Sequence, residues 1–116
     1  MIPLNYIEKV VTDFYTKATT DILIGYHFRH IEDFDTHIPR IIEFWNLQLN
    51  GNINDKTHLP FRFMDAHLPL KINRGEIFRW KKLFEATLIE NNLEKEMINQ
   101  WMAKVHLFAS KLEARI

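Results

Sequence analysis

Four side chains in this 116-residue chain have types and positions suited to binding or proton chemistry: Tyr15, His37, His67 and Trp80. A neutral imidazole is the commonest metal ligand among side chains, and a phenol or an indole N–H donates hydrogen bonds to a bound molecule. His67 stands among Phe63, Met64, Leu68 and Leu70, an apolar setting that would keep bulk water from anything the ring held. Taken alone, such a histidine reads better as one that caps or bridges a loop. His37 and Ile41 are four residues apart, with Trp45 one turn further, so on a helix they share a face. That face sets a polar group and an apolar gate over one place. Tyr15 follows Phe14 at the inward end of the first predicted helix, where a buried phenol needs a hydrogen-bond partner. The alternative is an ordinary core tyrosine whose hydroxyl reaches the surface. Trp80 likewise reads either as a donor to a ligand or as a filler of the core.

Helices must position these groups. Ile7, Val10, Val11, Phe14, Tyr15 and Ala18 recur at three- and four-residue spacing and predict a first amphipathic helix, with Asn5 and Glu8 as its start signal. One or two helical turns are expected from Asp21 to about His30, around Gly25. Asp35 or Thr36 is expected to cap the next helix, with Pro39 in its first turn. Its inward stripe is Ile38, Ile41, Ile42, Trp45 and Leu49, and Asn50-Gly51 stops it. The polar stretch from Asn52 to about Pro60 reads as a loop. A short helical segment follows from about Phe63 to Leu68, which Pro69 should end by disfavouring the α conformation before it. Asn73 and Glu76 repeat the cap spacing, and Ile77, Trp80, Leu83, Phe84, Thr87 and Leu88 predict a helix to about Asn91. Met97, Ile98, Trp101, Val105, Phe108 and Leu112 mark the last and longest helix. No segment alternates convincingly, so the expected class is all-α, in a single domain spanning 1–116.

Composition narrows the chemistry. With no cysteine, disulfides, thiolate metal sites, iron–sulfur clusters and cysteine nucleophiles are excluded together. Fifteen basic and fifteen acidic residues balance, so no net field draws the chain to nucleic acid or an anionic membrane. The start, MIPLNYIEKVV, has no basic region followed by an apolar run, and no segment is apolar for the length a bilayer needs, so a cytoplasmic protein is expected. Aromatic residues make up 13% of the chain, nine of them Phe, which suggests either a heavily aromatic core or a pocket for something flat and apolar.

The chain resembles a bacterial group III truncated haemoglobin at Phe14-Tyr15, Phe28, His37 with Ile41, Phe44 and Trp45, and in the run HLPLKINRGEIFRWKKLF that starts at His67. The likeness runs from Val10 to the last helix. Its most specific part is a histidine, an apolar short segment and, thirteen residues on, a tryptophan inside F-x-W-x-x-L-F. The resemblance implies a globin-like fold, a truncated two-over-two helical sandwich around haem b, iron protoporphyrin IX. Such a haem needs one imidazole on its proximal side, an open position opposite and a dry slot. By the resemblance His67 is the proximal metal ligand, and Phe28, Ile41, Trp45, Phe63 and Trp80 line the cofactor. Tyr15, His37, Trp80, Phe14 and Ile41 would surround a distal diatomic gas, O2, NO or CO. Arg62, Lys71, Arg74 and Arg79 are candidate partners for the haem propionates, or merely solvated charges. By the resemblance, the helix that precedes the first functional one in ordinary globins is expected to be absent or vestigial. The glycine motifs of other truncated groups are missing, as they are in group III. Pro69 is less expected there.

Rival readings make different demands. A di-iron bundle needs Glu-x-x-His units, yet the only acid three residues before a histidine is Asp55 before His58, in the expected loop. A cofactor-free helical module that offers aromatic faces to a partner remains the alternative, and it would be colourless. His27, Arg29, His30, Arg40 and Arg62 form no dense stripe for nucleic acid. Within the haem reading, reversible gas binding and turnover of peroxide or nitrogen oxides, with a reductase as partner, would use the same donors, and the sequence does not separate them.

Overall fold

The computed structural model describes residues 1–51 and 61–116, so the loop expected over 52–60 lies outside the described residues. Among those described, every regular element is helical, and there is no strand.

Helix α1 spans Leu4–Ala18 and turns Ile7, Val10, Val11, Phe14 and Ala18 inward, as the spacing predicts. Its start differs from the reading above. Pro3 is the cap residue, and Asn5 lies inside the first turn. The Pro3 carbonyl accepts from the Tyr6 and Ile7 amides at 3.1 and 3.3 Å, so the fixed proline backbone initiates the helix without a side-chain cap. A 3-10 turn over Gly25–Phe28 follows, within the expected short segment.

Helix α2 spans Phe34–Asn50 and starts earlier than Asp35 or Thr36 would have it. Asp33 is the cap: it accepts from the Thr36 amide at 3.2 Å and from the Thr36 hydroxyl at 2.7 Å. Thr36 therefore stands at the third helical position, and Pro39 falls inside the helix rather than in its first turn. Ile41, Trp45 and Leu49 are buried, while Ile38 and Ile42 are only partly so. Gly51 ends α2 in the left-handed conformation at φ 70°, donating to the Leu47 carbonyl.

Helix α3, Phe63–His67, is a single short segment that runs on into a 3-10 turn over Leu68–Leu70. Leu68 keeps helical dihedrals, φ −55° and ψ −43°, despite Pro69. Pro69 falls in the first turn of that 3-10 segment, where a missing N–H costs little. The reversal comes later, at Lys71 with φ 53°. Helix α4, Arg74–Glu90, opens on a complete capping box between Asn73 and Glu76, and helix α5 covers Lys95–Glu113.

Helix α4 packs on α5 and on α1, α1 on α2, and α2 and α3 on α5. The buried apolar side chains form one cluster in which Trp101, Phe84, Ile77, Leu88, Val10, Val11 and Val105 are almost wholly enclosed. No described helix is long and apolar enough to cross a membrane.

Candidate functional site

A cleft opens into this core between α1, the 3-10 turn at Gly25–Phe28, α2, α3 and α4. It contains about 970 Å³ of empty space with its mouth included, of which about 120 Å³ is wide enough for the centre of a water molecule, so it is narrow. All nine side chains singled out in the sequence line it: Phe14, Tyr15, Phe28, His37, Ile41, Trp45, Phe63, His67 and Trp80. Of the neighbours expected around His67, Leu70 lines the cleft. Leu68 does not line it and is partly exposed, because the short helix turns it outward.

His67 closes α3. Its Nδ1 lies 2.6 Å from the Phe63 carbonyl one turn earlier. A carbonyl only accepts, so Nδ1 carries the proton and Nε2 is left with a lone pair. That Nε2 has no hydrogen-bond partner among the described residues. The ring stacks on Phe63 at 4.1 Å between centroids, and Phe61 meets it edge-on at 6.0 Å. Burial pushes the His67 pKa below the usual 6.5, with lesser repulsion from His27 and His37, so the imidazole is neutral near pH 7.

Elsewhere in the lining, the Tyr15 hydroxyl and His37 Nε2 are 3.0 Å apart. Burial raises the phenol's pKa, so it keeps its proton. Burial lowers that of His37, helped by Arg40 and His30. The pair is therefore neutral, and two arrangements satisfy it. Either the phenol donates to Nε2, or Nε2–H donates to the phenol oxygen and leaves the O–H free to point at a third group. Phe28 and Phe34 pack edge-on against Tyr15 at 5.6 and 6.1 Å and fix its ring. Phe61 touches His37 as well as His67, so both imidazoles border one stretch of cleft.

Trp80 packs against Phe63 at 5.8 Å and Phe84 at 6.2 Å, and its indole N–H has no partner among the described residues. Trp45 and Phe84 form the floor over Trp101, whose indole N–H is fully buried without a hydrogen bond.

Three polar residues in the lining were not assigned to a binding site from the sequence: His27, His30 and Glu76. His27 Nε2 lies 2.9 Å from a Glu76 carboxylate oxygen, and the Tyr26 hydroxyl donates to the same oxygen. The other oxygen accepts from the Asn73 amide at 3.0 Å. Burial alone would raise the Glu76 pKa, but these donors outweigh it and hold the carboxyl below its usual range. One signal was available: Glu76 stands four residues before Trp80, so the two share a helix face.

The four cations considered at the mouth are placed otherwise. Arg79 makes two hydrogen bonds to Asp21 Oδ1, at 3.0 and 2.7 Å, and Arg62 lies 3.8 Å from Asp65. None of Arg62, Lys71, Arg74 and Arg79 lines the cleft. Among the described residues no three histidine, aspartate or glutamate side chains gather to hold a metal ion by themselves.

Compared with known protein families and with curated proteins, the chain matches none.

Proposed function

We propose that this cleft binds haem b, with His67 as its single protein ligand and a diatomic gas on the side of Tyr15 and His37, in a globin-like two-over-two arrangement of the helices. One observation carries the reading: His67 has its Nδ1–H anchored on the Phe63 carbonyl and a bare Nε2, at the wall of a narrow aromatic cleft. The residues fit the group. A metal-bound imidazole must be neutral, and its other nitrogen normally donates to a fixed acceptor that sets the ring's orientation. Phe28, Ile41, Trp45, Phe63 and Trp80 offer a flat apolar guest the contact it needs. When bound, haem supplies the open coordination position at which O2, NO or CO attaches.

The chain's own groups would do the rest. Tyr15 holds an O–H that can donate into the cleft when His37 Nε2–H bonds the phenol oxygen, and the Trp80 N–H is a second unused donor. Phe14, Phe28 and Ile41 keep water from that side. The proposal is for reversible ligand binding, and nothing in the geometry favours turnover over it.

The test is reconstitution with hemin, followed by absorbance spectra of the oxidised, reduced and carbon monoxide-treated protein. A stoichiometric complex with a carbon monoxide-shifted band is the expected result. His67→Gly should lose haem, and added imidazole should restore the spectrum by occupying the space of the missing ring. A chain that stays colourless with excess hemin overturns the proposal in favour of a cofactor-free module. An unchanged spectrum in His67→Gly overturns the ligand assignment.

A further inference from the structure

We propose that His27, oriented by Glu76, is the proton-accepting group of the cleft: it receives the proton that a weak-acid ligand must give up to bind as its anion. The inference rests on the haem reading for its probe, and the geometry behind it stands apart.

Three imidazoles besides His67 border the cleft: His27, His30 and His37. A proton taken up by His37 meets Arg40 and His30 nearby, in a place where burial already disfavours charge. A proton taken up by His27 meets a carboxylate 2.9 Å away. Among the described residues no other cleft histidine has an ionic partner, and the side chains of His27 and Glu76 are only 9% and 8% exposed, so water screens the pair little.

The hydrogen bonds fix the roles. Glu76 is ionised and can only accept, so His27 Nε2 carries a proton toward it. Nδ1 is then the basic nitrogen, and it has no partner among the described residues. Glu76 is itself held by the Asn73 amide and by Tyr26, whose ring is partly exposed to solvent. A carboxylate that fixes the tautomer of an imidazole and balances the charge it gains is the usual support for a general base. Glu76 is thus a positioning residue. With hydrogen cyanide as the ligand, the H–C bond breaks, the proton goes to His27 Nδ1 and the cyanide anion stays in the cleft. No electrons are exchanged with the protein.

Two ligands separate this role from a structural one. Hydrogen cyanide must lose a proton to bind oxidised haem protein, whereas carbon monoxide binds the reduced form with no proton to lose. In the hemin-loaded protein, His27→Leu should slow cyanide association by roughly a hundredfold and carbon monoxide association by far less. Glu76→Gln should slow cyanide in the same direction while keeping the helix cap, since glutamine also serves at that position, and so covers the case of a His27 variant that does not fold. Equal slowing of both ligands, or slowing by His37→Leu but not His27→Leu, overturns the proposal. Nitrogen-15 spectra of the haem-free chain give an independent reading. They should show His27 protonated at Nε2 and bare at Nδ1, with that preference lost in Glu76→Gln. The opposite tautomer overturns the proposal even if hemin binds, and failure of hemin to bind overturns only the haem reading.

Discussion

Tyr15 and His37 stand 22 positions apart on different helices, and their 3.0 Å contact is the polar feature of one wall of the cleft. Tyr15→Phe removes the hydroxyl and leaves His37 Nε2 without its partner. It should lower stability by about 1 kcal/mol in urea unfolding, since the site is only partly buried. In hemin-loaded protein the same change should alter the rate of oxygen release, and an unchanged rate would show that the phenol does not reach the ligand. The imidazoles also set a pH dependence. His37 and His67 have pKa values below 6.5 in the folded chain, so the unfolded chain binds protons more readily. Their contribution to stability is complete above pH 6.5 and is lost as pH falls below it. Denaturation at pH 7.5 and 5.5 should show a smaller loss in His67→Ala than in the unmutated chain.

Helix ends and turns hold the site in register, and each tests separately. Gly51 closes α2 at φ 70° with open space where a Cβ would sit, so Gly51→Ala carries only the conformational penalty, about 1 kcal/mol. Gly25 begins the 3-10 turn that carries Phe28, and a Cβ there would come within 2.9 Å of the Thr19 carbonyl oxygen. Backbone cannot swing aside, so Gly25→Ala should cost about 2 kcal/mol and also weaken hemin uptake, whereas Gly51→Ala should change stability alone in thermal melts. The Asn73–Glu76 capping box joins an element end to the cleft. Because the Glu76 carboxyl is held below the ordinary 4.5, acid favours the unfolded chain. Stability from this group is full above pH 4.5 and falls as pH drops through the lowered folded value. Glu76→Gln should be flatter across that range in acid titrations followed by circular dichroism.

At the scale of the whole molecule, the core and the cleft wall share side chains. Phe84 packs on Phe14 at 4.9 Å, Trp45 at 5.4 Å and Trp101 at 5.6 Å while facing the cleft. Phe84→Ala should therefore remove about 3–5 kcal/mol, a large part of a small domain's stability, and urea unfolding should show it. The apolar periodicities of α1, α2, α4 and α5 were legible in the sequence, because a helix that must bury one face repeats its apolar residues every three to four positions. So were the Asn73–Glu76 box and the Gly51 stop, whereas the nine residues placed around the cleft were named through a resemblance and not through spacing. The starts of α1 and α2 were not legible, since Asp33 and Pro3 compete with equally plausible neighbours and local rules do not rank them. Nor was the continuation of the chain through Pro69, which turns on a 3-10 geometry that spacing does not encode. The His27–Glu76 pair escaped for another reason: its partners are 49 residues apart, and only the packing of the Gly25 turn against α4 brings them together. Sequence alone thus determined which helix faces are buried, because periodicity is a local property. The tertiary structure decided which polar atoms meet, which nitrogen of His67 is left bare and which arginine is already taken by Asp21, because hydrogen bonds between distant segments depend on distances that no spacing along the chain contains.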